Sequence, residues 1–265
     1  MQIKGFEGTV AMIERDLMLT AFGLMLLVVV PVILLTLVFA WRYRATNTKA
    51  VYAPDWSGSP ILETFIWGIP AVLILGLGIM VWKSTHRLDP YNPIPSDVAA
   101  TRIQAVAYDW KWLFIYPDLG IATVDEMAFP QDRPLAFQIT SEVGLNSFMI
   151  RHLGGQIYAM AGMETQLHLW TDETGKFEGR NMQYSGDGFS NQTFDALAMS
   201  PDDFDAWVAK VRGASLTLNE DARKKLMEPS VSGSVVYYKD VSVGLFETIL
   251  DTYSHCDGDL NGICR

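Results

Sequence analysis

Hydrophobic positions run without a break from Leu17 to Trp41, 25 residues with no charge. As a helix this run is about 37 Å long, more than the ~30 Å hydrocarbon core of a bilayer. A helix apolar on every face has no side for water, so residues 17–41 are predicted to span a membrane. A secretion signal would have an apolar core of only about 7–15 residues. A second apolar run covers residues 61–83, with 19 uncharged residues from Thr64 to Trp82, about 28 Å as a helix. Pro31 and Pro70 interrupt the two runs, as membrane helices tolerate when neighbours satisfy the freed carbonyls. The connecting residues 42–60 carry Arg42, Arg44 and Lys49 against Asp55. Basic excess in a short loop marks the cytoplasmic side. The expectation is an antiparallel hairpin, with a mixed-charge tail at residues 1–16 and everything after the second helix on the outer side.

After the stiff linker PYNPIP the period changes from helical to two. Ile103, Ala105 and Ala107 alternate with their neighbours, as do Leu135, Phe137 and Ile139, then Leu167 and Leu169, then Phe194, Ala196 and Ala198. Short strands separated by Gly, Pro, Asp and Asn predict an antiparallel β-sandwich over residues 84–199. From Ser200 the pattern turns helical. Ser200 can cap, Pro201 takes the first position, and Phe204, Trp207, Val208 and Val211 fall on one face. Leu218–Met227 and Phe246–Tyr253 read as two further short helices, so residues 200–265 are expected to form a helical extension.

Composition narrows the chemistry. The net charge of −10 leaves no basic face for nucleic acid. Two cysteines, Cys256 and Cys264, exclude a multi-cysteine metal cluster. They flank DGDLNG, which matches the first half of a calcium loop but lacks the bidentate glutamate of its twelfth position. A disulfide between them is the favoured reading in an oxidising compartment, against a calcium site or free thiols. His86, His152, His168 and His255 have no ligand spacing and read as surface or interface residues. No serine–histidine–acid set or phosphate-cradling glycine loop is present. Nothing in residues 1–16 resembles a secretion or lipoprotein signal, so a lipid anchor is not expected.

Two features stand out. Glu63 is the one carboxylate between Asp55 and Asp89 and lies at the cytoplasmic mouth of the second helix. It is either a helix-start carboxylate favoured by the dipole or a proton-handling group, because a carboxylate beside hydrocarbon is costly. Tyr108–Tyr116 packs five aromatics into nine residues. That exceeds what a half-buried strand would hold and favours a face covered by a partner over pure core.

LTAFGLML, FAWRYRATN, WKSTHRLDP, DWKWLFIYPDLGIATVDEMAFP, NSFMIRHLGGQIYAMAGMETQLHL and YSGDGFS together resemble subunit II of the haem–copper respiratory oxidases, close to the cytochrome bo-type quinol-oxidising branch. The resemblance covers most of residues 17–200 and implies a cupredoxin-like sandwich outside the membrane. In the cytochrome c branch this subunit holds a dinuclear copper centre, with one histidine in a first loop and C-x-E-x-C-x-x-x-H-x-x-M in a second. Laid on this chain, the pattern puts Asn146 at the first histidine and Asn181 and Ser185 at the cysteines. Gln183 takes the glutamate, Phe189 the second histidine and Gln192 the methionine. Copper at such a site wants thiolate and imidazole.

The resemblance therefore implies subunit II of a proton-pumping ubiquinol oxidase of the bacterial inner membrane, with a periplasmic outer domain. This chain would bind no cofactor. Haems and copper would sit in subunit I, ubiquinol would be the substrate of the complex, and subunits I, III and IV and membrane lipid would be the partners, without cytochrome c. It also puts Glu63 at the mouth of the proton-uptake path of subunit I, and Trp110 and Trp112 at the subunit I interface. The rivals are a copper-bearing cytochrome c oxidase subunit and a membrane-tethered scaffold.

Overall fold

A computed structural model of the chain describes residues 8–49, 55, 57–231 and 234–254. Cys256, Cys264, His255 and the DGDLNG turn lie outside them. Residues Glu14–Asp89 form one compact unit; residues through Ile13 and from Pro90 onward form another.

Helix α1 (Thr9–Arg42) contains Pro31, and helix α2 (Pro60–Arg87) contains Pro70. Ala11 is the one buried residue of α1, and α2 has none. These helices, of 34 and 28 residues, are each long and apolar enough to cross a membrane. Their hydroxyls turn back on their own backbone: Thr36 donates to Val32 O (2.7 Å), Thr64 to Pro60 O (2.8 Å) and Ser84 to Met80 O (2.7 Å). Hydrocarbon offers no other partner, so local satisfaction is the low-cost arrangement. α1 begins eight residues before the apolar run, at Thr9 rather than Leu17. Tertiary contact extends it: Ala11 is buried, Val10 packs on the outer core, and Gly8 N–H bonds His152 O (3.0 Å).

The outer unit is two facing sheets. Strands β1 (Thr101–Tyr108), β2 (Lys111–Tyr116), β3 (Ile121–Val124), β4 (Glu126–Pro130), β5 (Leu135–Ser141), β6 (Asn146–Ile150), β7 (Gly154–Ala159), β8 (Thr165–Leu169), β9 (Gly175–Asn181) and β10 (Thr193–Met199) precede helix α3 (Pro201–Arg212). Strand β11 (Leu216–Leu218), helix α4 (Glu220–Met227), strand β12 (Val236–Val241) and helix α5 (Leu245–Ser254) follow. The larger sheet runs β11-β12-β3-β2-β1-β5-β8 and the smaller β4-β10-β9-β6-β7. The predicted residues of β1, β5, β8 and β10 line the core between them.

Three expectations are corrected. The sandwich is mixed, not wholly antiparallel: β1 pairs parallel with β5, and β4 with β10. The chain crosses to the other sheet between β3 and β4 and returns at β5, so β5 comes back alongside β1 in the same direction. The extension is not purely helical, because β11 and β12 add two strands to the edge of the larger sheet. α4 and α5, with Leu218 of β11, then cover that sheet's outer face, where Val106, Tyr108, Leu113 and Ile115 meet Leu218, Leu226, Phe246 and Ile249. β2 is therefore buried on both faces, and Trp112, Phe114 and Tyr116 belong to the sandwich core. That accounts for the aromatic density without a partner.

Ser200 Oγ accepts from Asp203 N–H, and the predicted face of α3 is buried.

Candidate functional site

The positions that resemble copper ligands converge at one end of the smaller sheet. β6 starts at Asn146, β9 ends at Asn181, and the connection to β10 carries Ser185 and Gln192. Asn146, Asn181 and Gln192 are buried. Asn181 is the hub. Its Oδ1 accepts from the backbone N–H of Ser147 (2.8 Å) and Gln183 (2.9 Å). Its Nδ2 donates to Asn146 Oδ1 (2.7 Å), Gln192 Oε1 (2.8 Å) and Ser185 Oγ (3.1 Å). Gln192 Nε2 donates to Tyr108 O and Asn146 Oδ1, both 3.2 Å, and Asn146 Nδ2 to Ser141 Oγ (3.2 Å). The side-chain amides thus satisfy one another and the neighbouring backbone, as buried polar groups require.

This donor set does not fit a dinuclear copper centre. No thiolate, thioether or imidazole is present, and the amide nitrogens that point inward are donors without a lone pair for a cation. The side chains of Gln183 and Phe189 stand apart from the network; the Phe189 ring meets Tyr184 edge-on at 5.7 Å. Among the described residues no group of three or more His, Cys, Asp or Glu is placed to hold a metal ion. His168 is half-buried with Nδ1 2.9 Å from Pro90 O, and His152 lies beside Phe177.

Trp110 covers the loop. It occupies the second position of the β1–β2 turn at φ 64°. Its indole N–H donates to Ser185 O (3.0 Å). Its ring lies so close on Gly188 that a Cβ there would come 2.1 Å from Cδ2. Trp112 lies elsewhere. It is fully buried between the sheets against Phe148 (5.2 Å) and Phe194 (5.9 Å). A side chain with no exposed surface meets no partner, so Trp112 is corrected from interface to core.

Glu63 stands exposed in the first turn of α2, with its backbone N–H bonded to Ser59 O (2.9 Å). Its carboxylate bends back over Gly58, where a Cβ would lie 2.7 Å from Oε1; Gly58 itself has φ 134°.

One enclosed ionic group had no signal in the sequence. Glu142, between β5 and β6, pairs through Oε1 with Arg223 Nε of α4 at 3.1 Å, both buried. Burial pushes the Glu142 carboxyl up, and Arg223 partly opposes this. Arg223 sits in the charged run EDARKK, which reads as a solvated helix face.

Comparison with known proteins places this geometry. The COX aromatic rich motif matches residues 213–256. A cytochrome bo(3) ubiquinol oxidase subunit 2 of Pseudomonas aeruginosa is 52% identical over 256 residues, 97% of this chain and 77% of that protein. The chain belongs to the ubiquinol oxidase subunit 2 family. A ubiquinol oxidase subunit 2 of Acetobacter aceti is 45% identical over 251 residues, covering 94% of this chain and 81% of that one. The crystal structure of the periplasmic domain of a Bradyrhizobium japonicum cytochrome oxidase subunit II aligns at 23% identity and TM-score 0.40, over 50% of this chain and 99% of that domain. In this chain the matched motif takes in β11 and β12, which extend the edge of the larger sheet, and α4 and α5, which pack on its outer face.

Proposed function

We propose that the chain is the second subunit of a proton-translocating ubiquinol oxidase of the bacterial inner membrane, with its outer unit in the periplasm. The observation that carries this reading is the donor set at residues 146 and 181–192. Amides and a hydroxyl, all mutually bonded, stand where an electron-accepting copper pair would need sulfur and imidazole. Electrons from ubiquinol then reach the haems and copper of subunit I without passing through this chain. The chain's own work is to dock on subunit I, and subunits III and IV complete the assembly. Trp110 remains the proposed contact, half-buried on the loop it covers.

Glu63 is proposed as the entrance of the proton-uptake path. Its carboxylate stands exposed at the start of α2, and a carboxylate at the edge of hydrocarbon is a functional candidate by default. In this reading it passes protons from the cytoplasmic side inward toward subunit I.

Purification of the tagged chain in mild detergent tests the reading. Haem spectra and quinol-dependent oxygen uptake are expected in the same fraction; a haem-free chain with no oxygen uptake would favour the scaffold alternative. Glu63→Ala is expected to slow oxygen reduction at unchanged haem content, with partial recovery in Glu63→Asp. Wild-type turnover in Glu63→Ala removes the proton role.

A further inference from the structure

The C-terminal extension reaches two of the segments that wall the amide cluster. Lys111, next to Trp110, sends its ammonium to Glu228 O (2.8 Å) and Ser230 Oγ (2.7 Å). Arg223 of α4 pairs with Glu142 at 3.1 Å, and Tyr253 of α5 donates its hydroxyl to Glu142 O at 2.7 Å. Glu142 is chemically linked to the cluster through its neighbour, because Ser141 Oγ accepts from Asn146 Nδ2. Lys111 is linked likewise, because Trp110 holds the Ser185 carbonyl. Each grip of the extension is thus one residue from a group that touches the cluster.

A metal bound by side chains from several loops fixes those loops, since its binding energy is folding energy. Neutral amide hydrogen bonds contribute far less in net terms, because the unfolded chain makes equivalent bonds to water. Something else must hold the β1–β2 turn and the β5–β6 connection against residues 181–192. We infer that the C-terminal extension is a clamp on the amide cluster and takes over the cross-linking that a metal would supply. Arg223 and Tyr253 are its positioning residues, and Lys111 of β2 is the group it grips on the other side: two charged groups and a hydroxyl hold the loops in one geometry. This gives the aromatic-rich motif a second task beyond covering an apolar sheet face. It stands whether or not Glu63 carries protons.

Hydrogen exchange on the full chain in mild detergent tests the clamp. The reporters are peptides over 143–147 and 181–192, which include the Ser147 and Gln183 amides held by Asn181. The internal control is the β9–β10 ladder over 175–179 and 194–198. Arg223→Met is expected to speed exchange in both reporters about tenfold or more while the control keeps its wild-type rate. If Arg223→Met speeds exchange everywhere, the domain has opened as a whole, and Tyr253→Phe, which removes one oxygen, decides on the same peptides with an expected gain of about threefold. Faster exchange confined to residues 216–254, with both reporters at the wild-type rate in the folded variant, overturns the proposal.

Discussion

Asn181 makes five side-chain hydrogen bonds to four other residues and the Gln183 amide. Asn181→Ala strands the Ser147 and Gln183 N–H groups and leaves Asn146 Oδ1 and Gln192 Oε1 with one donor fewer each. Unsatisfied buried groups cost about 1–3 kcal/mol each, with partial relief from relaxation, so a loss of about 2–4 kcal/mol is expected. Urea unfolding of the full chain in detergent, followed by tryptophan emission, measures it; a change under about 1 kcal/mol would mean water replaces the side chain freely. Gly188→Ala is the companion test. Its methyl would fall 2.1 Å from the Trp110 ring, so the indole must leave the loop and its emission shift to the red, with secondary structure unchanged. The residues of this cluster were legible in the sequence as lost ligands. Their bonding to one another was not, because it depends on the register that brings Asn146 beside Asn181. Trp110 and Trp112 part company for a definable reason, and only Trp112 is lost to the core. Residues two apart share a face only on a strand. Trp110 is a turn residue at φ 64°, so it points out over the loop while Trp112 enters the core.

At the scale of elements, period-two alternation located β1, β5, β8 and β10, and the capping signal at Ser200 located α3. β12 was equally visible as Val236 and Tyr238 alternating with Tyr237 and Lys239, but its helical neighbours masked it. Three-residue β11 carries no pattern at all. The reading of a partner-covered face for β2 gave way to core because alternation cannot reveal a second layer that arrives a hundred residues later. That layer is held by the Arg223–Glu142 pair, and its charge state makes a test. Burial raises the Glu142 carboxyl above the unfolded value of about 4.3. A group whose folded pKa is raised contributes stability at low pH and loses it as pH rises through the folded value. Stability measured as wild type minus Glu142→Gln should therefore move in favour of wild type as pH falls from neutral toward about 4, and be flat below. The opposite slope would mean that Arg223 outweighs burial. Arg223→Ala, which leaves an uncompensated carboxylate, is expected to cost about 3–5 kcal/mol near pH 7 by the same denaturation assay.

At the scale of the whole molecule, the two apolar runs and the outer β-domain were legible from composition and periodicity alone. The question they leave is energetic: whether any part of this fold is held by a metal. The amide cluster offers donors that neutralise one another, and the clamp of Lys111, Arg223 and Tyr253 anchors the loops from outside. A ligand that binds only the folded state stabilises it by about 2.7 kcal/mol at a hundred times its dissociation constant. Copper at a built site would therefore raise the melting temperature of the full chain by several degrees. Chelation would lower it by a similar amount. Neither shift is expected. The melting temperature of the full chain in detergent should stay within about 1 °C across chelator and excess copper, since no coupled binding energy is available to gain or lose. A copper-dependent rise of several degrees, with two coppers per chain by elemental analysis, would return the chain to the electron-accepting branch and make the amide cluster a ligand set after all.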